Sequence, residues 1–216
     1  MIWFTSRGKI VKEKMEELML LMENSFCDYG FKKTSKDMLK RKVGECIQGI
    51  VIDENKIRGI DQLHIYIHIN FYYKKLNNLV MYLQNDYTYK GWATGTFCNI
   101  GNFLPDKRCD FYINKDTELT PIVSKIHSVI KEYGFPLFEK LDTYQKFEYF
   151  LYEQNEAKEL HLDLEWDMLA LSVMFKNHPT EEILEKFHDK LCDENASLEG
   201  LKKRLSDQNK IKEILK

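Results

Sequence analysis

Leu63-His64-Ile65-Tyr66-Ile67-His68-Ile69-Asn70-Phe71-Tyr72 alternates apolar and polar side chains without a break. Successive side chains of a strand point to opposite faces. Leu63, Ile65, Ile67, Ile69 and Phe71 therefore share one face, and His64, Tyr66, His68, Asn70 and Tyr72 share the other. A helix would scatter both sets around its axis. One apolar and one polar face is the pattern of an antiparallel sheet, since parallel strands are apolar on both faces and need long crossovers.

Upstream of this strand, Val11, Met15, Leu18, Met22, Phe26 and Tyr29 recur at three- and four-residue steps. That is the stripe of an amphipathic helix, closed by Gly30 in the left-handed position. Met38–Val43 and Cys46–Ile52 read as strands, followed by a polar turn at Asp53-Glu54-Asn55-Lys56. Downstream, Asn77–Trp92 shows no sustained period and reads as irregular, with room for one helical turn, while Gly95–Ile100 and Arg108–Ile113 read as further strands. Helices return at Thr120-Pro121, where a hydroxyl precedes a proline at the first helical position. Gly134 and Pro136 are expected to end that helix. Others open at Asp142, span Leu164–Phe175, open at Pro179, and run from a Ser197 cap. The expectation is an α+β fold: an N-terminal helix, an antiparallel sheet of about four to five strands, and C-terminal helices packed on one face. It reads as a single domain over residues 1–216, divisible into a helix-plus-sheet part at 1–136 and a helical extension at 137–216.

The 216 residues carry 32 Lys+Arg against 34 Asp+Glu, a formal net charge of −2. That balance removes the electrostatic drive toward nucleic acid or an anionic membrane, so neither is an expected partner. A hydrophobic content of 44% excludes a disordered chain. Runs such as Leu18–Met22 are far shorter than the roughly 20 residues that span a bilayer. Arg7 and Lys9 follow the first apolar residues instead of preceding them, which is not the order of a secretory leader. Cys27, Cys46, Cys98, Cys109 and Cys192 form no Cys-x-x-Cys pair and read as reduced thiols of a cytoplasmic protein. Charge is uneven: residues 1–60 balance to +3 and residues 159–216 to −4. Solvated helix faces account for this, and so does an acidic surface that docks a basic partner protein.

His64 and His68 are four apart on a strand, hence about 13 Å apart. Two ligands of one zinc each sit about 2 Å from the metal, so the pair is not a single-metal site, and no metal or cofactor is expected. What remains is a polar, aromatic face of His64, Tyr66, His68, Asn70 and Tyr72. Uncovered, it is the wet side of a sheet; roofed by later helices or a loop, it is a groove for a ligand. The densest acidic stretch holds Asp163, Glu165 and Asp167. On a helix Asp163 and Asp167 share a face, and carboxylates in a first turn meet the helix dipole favourably. Cys98 lacks any group that would make it a nucleophile and reads as a buried thiol. Phosphate loops, dinucleotide fingerprints, zincin motifs and serine-hydrolase elbows are all missing, so no catalytic residue is assigned.

Tyr29-Gly30-Phe31-Lys32-Lys33 after a helix, the basic strand Leu39-Lys40-Arg41-Lys42, Cys46-Ile47-Gln48-Gly49-Ile50-Val51-Ile52 and Ile65-Tyr66-Ile67-His68-Ile69-Asn70 follow one another in order. Across residues 10–150 this resembles the bacterial domain of unknown function 4304 family. The resemblance implies an α+β bacterial protein, and it brings no activity and no catalytic residues with it. Two functional expectations follow. The first is a non-enzymatic protein-binding module, of the kind that immunity proteins neutralising a toxin represent, with Asp163, Glu165 and Asp167 facing the partner. The alternative is a small-ligand-binding protein or enzyme using the polar face of His64, Tyr66, His68, Asn70 and Tyr72.

Overall fold

The opening stripe becomes α1 (Trp3–Phe26), followed by a 3-10 turn at Cys27–Tyr29. Gly30 closes it with φ 80°, a left-handed conformation that a residue without Cβ adopts cheaply. The computed structural model describes residues 3–56, 62–85, 96–153, 164–192 and 197–216. Two units are distinguished. The first comprises Met1–Val43, Ile47–Phe71 and Phe97–Lys140; the second comprises Gly44–Cys46, Tyr72–Thr96 and Leu141–Lys216.

The first unit is built on a six-stranded antiparallel sheet: β1 (Lys32–Lys33), β2 (Met38–Val43), β3 (Cys46–Lys56), β4 (Leu63–Tyr73), β5 (Thr96–Asn99) and β6 (Asp110–Ile113). The spatial order is β1-β2-β3-β4-β5, and β6 also pairs with β4. Leu63, Ile65, Ile67, Ile69 and Phe71 of β4 are all buried, as the alternation requires. Met15, Leu18, Met22 and Phe26 of α1 are buried too, and α1 packs on α3 (Leu119–Val129).

The structure departs from the sequence reading in several places. β3 runs on to Lys56, through the stretch that reads as a polar turn. Gly134 and Pro136 do not end the third helix. A π turn at Ile130–Gly134 leads directly into α4 (Phe135–Lys140). The wider turn removes the demand for a proline N–H in the ordinary ladder. A Cβ at Gly134 would lie 3.3 Å from Ile130 Cγ2, a tight contact to which the Ile130 side chain would have to yield.

A further departure lies in the second unit, where α2 (Lys74–Gln84) occupies the first half of the segment that reads as irregular. Leu76, Leu79, Val80 and Leu83 are its buried stripe. The strand enters this helix without a loop, and Tyr73 at its N-cap offers no side-chain cap, so neither start signal is present. The unit continues with α5 (Tyr144–Glu153), α6 (Leu164–Phe175), α7 (Thr180–Lys186) and α8 (His188–Leu191). It ends with α9 (Leu198–Ser206) and α10 (Gln208–Leu215), which divide the expected final helix at Asp207. Ser197 does cap α9, its hydroxyl accepting from the Gly200 N–H at 3.1 Å. From Glu165 to Ser172 every residue of α6 is buried, so this helix packs on all sides, against α2, α5 and α7 among others.

Polar groups hold the first unit's core together. Arg41 of β2 donates from Nε to Gln48 Oε1 at 2.8 Å and from Nη1 to the Tyr29 carbonyl at 2.9 Å. Gln48, 1% exposed, donates in turn to the Phe138 carbonyl at 2.8 Å. The guanidinium lies 4.7 Å from the centre of the Phe31 ring, with Phe135 and Phe138 at 5.4 and 5.7 Å. Burial pulls its pKa down, and the charge of Glu139 opposes that. Arg41→Met keeps the apolar bulk but strips the buried Gln48 oxygen and the Tyr29 carbonyl of their donor. It is expected to lower the urea-unfolding free energy by about 2–4 kcal/mol. Arg41→Lys is expected to lose most of the same amount, because an ammonium lacks the planar fork. A change under about 0.5 kcal/mol in both variants would show that water replaces the guanidinium without loss.

Candidate functional site

The polar row of β4 is completed by β6, which pairs His64 with Tyr112 and Tyr66 with Asp110. His64 Nε2 lies 2.5 Å from Asp110 Oδ2, and Tyr66 Oη lies 3.0 Å from His64 Nδ1. An ionised carboxylate only accepts, so Nε2–H donates to Asp110. The other nitrogen of a neutral imidazole then accepts from the Tyr66 hydroxyl. The His64 ring also stacks on Tyr112, with centroids 4.3 Å apart and planes within 12°. The His64 and Asp110 side chains are 15% and 24% exposed, whereas Tyr112 is 52% exposed. Asp110, His64 and Tyr66 thus form a hydrogen-bonded chain beside an open aromatic ring. Such a chain can orient a hydrogen-bonding ligand or pass a proton to or from the phenol.

The remaining residues of the row are placed differently. His68 Nε2 is 3.8 Å from Asp53 Oδ2, with its side chain 12% exposed. Asn70 is 2% exposed. The face is therefore largely closed at His68 and Asn70 and open at Tyr112. Tyr72 falls in the second unit, its phenol pushed up by burial. His64 and Tyr66 are brought into one hydrogen-bonded group; His68 turns to a different carboxylate. Among the described residues no group of three or more His, Cys, Asp or Glu is placed to hold a metal ion.

Asp110 and Tyr112 went unrecognised in the sequence. Each strand shows its own alternation, but which residue of β6 faces which of β4 is set by register, and register leaves no local mark.

The acidic stretch is placed partly inside the protein. Glu165 and Asp167 are 9% and 8% exposed, and Glu165 accepts an ion pair from Lys190. Asp163 lies outside the described residues. All five cysteines are free, with Cys46, Cys98 and Cys109 buried and Cys27 exposed. Burial pushes the Cys46 thiol up to about 12, and that of Cys109 up to about 11. It raises the Cys98 thiol strongly as well, which leaves no thiolate there for nucleophilic chemistry at neutral pH. Among the described residues, no helix is long and apolar enough to cross a membrane.

A family model described as domain of unknown function (DUF4304) matches residues 22–140. That is more than half of the chain, and the chain belongs to this family. The match takes in β1 to β6, and with them His64, Tyr66, Asp110 and Tyr112. No curated protein and no solved structure matches the chain.

Two outcomes are expected from this geometry. Long-range nitrogen–proton NMR spectra should show neutral His64 protonated on Nε2, and Asp110→Ala should mix the two tautomers. A wild-type ring protonated on Nδ1 would contradict the chain of donors. The buried thiols give an alkaline limit. Their folded pKa values exceed the ordinary 9.0, so the folded chain keeps protons that the unfolded chain releases. Stability is therefore unaffected below about pH 9 and falls as pH rises toward about 12. A urea midpoint that is flat to about pH 9 and declines above it, less steeply in Cys46→Ala, is the expected profile.

Proposed function

We propose that the chain is a non-catalytic binding module whose partner protein docks on the ledge of His64, Tyr66 and Tyr112. The supporting observation is that Tyr112 is 52% exposed although its ring is stacked on His64, itself hydrogen-bonded to Asp110. A ring fixed in advance loses little entropy on contact, and tyrosines so held supply much of the energy of protein interfaces. The rival surface at Asp163, Glu165 and Asp167 has less to offer a basic partner. Two of its carboxylates are buried, and Glu165 is already neutralised by Lys190. Neutralisation of a toxin, as an immunity protein does it, is one role that suits a module of this kind. Cytoplasmic residence belongs to the same reading and is supported by five free thiols. A bacterial source is carried over from the family resemblance.

One observation favours a second reading, a small-ligand binder or enzyme: the ordered Asp110–His64–Tyr66 chain, which a docking surface does not require. Capture by the tagged full chain from a lysate of its source organism, at moderate salt and with stoichiometry, separates the two. The binding module is expected to retain one stoichiometric protein and to hold it at least about tenfold more weakly as Tyr112→Ala, with Tyr66→Phe near wild type. A partner held equally by Tyr112→Ala would refute the ledge. Small-molecule thermal shifts that vanish in Tyr66→Phe would establish the second reading instead.

A further inference from the structure

Within the second unit, the end of α6 together with α7, α9 and α10 bounds a cavity of about 420 Å³. That volume lies in the range of small-molecule sites, roughly 300–1,000 Å³. Its lining falls wholly outside residues 22–140, so it belongs to this chain beyond the family match. Lys176 and Lys202 both line it, and neither has an acidic side chain within ion-pair distance among the described residues. Lys176 is held there at φ 58°, its N–H donating to the Ser172 carbonyl at 2.9 Å. This is the position after a helix where glycine or asparagine is usual. A strained residue that presents a charge to a cavity is a pointer toward function.

The buried wall narrows the ligand further. Ser172, 1% exposed, spends its only hydroxyl proton on the Leu169 carbonyl at 2.8 Å. The 3.2 Å contact between Ser172 and Thr180 must then use the Thr180 proton, which leaves the Thr180 oxygen as an acceptor. Glu181 adds a carboxylate to the same lining, and Leu184 and Leu205 supply apolar surface. The lining thus offers two cations for an acid group, an acceptor and an anion for a donor, and an apolar wall.

We infer that this cavity binds an α-amino acid with an apolar side chain. Its carboxylate is held by Lys176 and Lys202, its ammonium by Thr180 and Glu181, and its side chain lies against Leu184 and Leu205. The proposal is independent of the ledge of the first unit. The test titrates the full chain with L-phenylalanine, 3-phenylpropionate and 2-phenylethylamine, up to about 10 mM each, following backbone amide shifts. Phenylalanine is expected to saturate, moving Ser172, Thr180 and Lys202, while each truncated probe binds at least about tenfold more weakly. Lys176→Gln with Lys202→Gln should weaken phenylalanine by a similar factor without changing the unliganded melting temperature, because both side chains sit on exposed residues. No saturation, equal binding of 3-phenylpropionate, or unchanged binding in the double variant would each overturn the assignment.

Discussion

A guanidinium placed among phenylalanine rings is stable only if nearly all it loses in water is returned by the protein. Arg41 meets that condition with two hydrogen bonds and three phenylalanine rings around it, drawn from separate parts of the first unit. Tyr29 closes the turn after α1, Gln48 lies on β3, and Phe135 and Phe138 belong to α4. Removing one partner would strand the others, because Gln48 also satisfies the Phe138 carbonyl. The constraint therefore sets where α1 ends and where α4 must arrive. The π turn at Ile130–Gly134 fits the same demand, since it carries the chain past Pro136 and delivers Phe138 to the sheet.

The contrast between what was readable in the chain and what was not follows the same division between local and tertiary forces. β4 is legible because period-two alternation is a property of a single strand, and Leu164–Phe175 because an apolar run of that length has no strand alternative. Gly30 and Ser197 are legible because a left-handed φ and an N-cap depend on one residue each. α2 escaped notice because its stripe starts straight from a strand, with Tyr73 anchored by its hydroxyl to the Leu141 carbonyl and stacked on Phe147. That anchor comes from a segment remote in sequence, and no capping residue marks it. Half of the candidate site was legible for the same reason: His64 and Tyr66 declare themselves by alternation, while Asp110 and Tyr112 reach them only through cross-strand register.

Burial, more than composition, decides what the acidic residues do. The C-terminal charge imbalance suggests a docking surface, yet Glu165 and Asp167 lie in a helix packed on all sides. Glu148 is likewise 5% exposed and accepts from Asn177 Nδ2 at 3.0 Å. Carboxylates withdrawn from water in this way are committed to internal partners, because an unpaired buried charge is far more costly than a paired one. They are poor candidates for steering a partner, since steering needs field lines in solvent. The Lys176–Lys202 lining has the opposite character: its cations stay on exposed residues beside a cavity, with no acidic side chain within ion-pair distance among the described residues.

These distinctions bear on how one chain could carry two recognition surfaces. The ledge stands on β4 and β6, whose pairing is inside the family-matched stretch, and its rigidity comes from ladder hydrogen bonds and a stacked ring. The cavity is framed by short helices with polar caps, Ser197 for α9 and Asp207 for α10, beyond that stretch. Short helices contribute little stability of their own, so such a frame opens more readily than a central strand pair does. A site with that property suits a small ligand that must enter and leave, whereas a fixed ring on a sheet suits a partner held for longer. The physical difference between the two supports, more than any motif, is the reason to assign them different kinds of ligand.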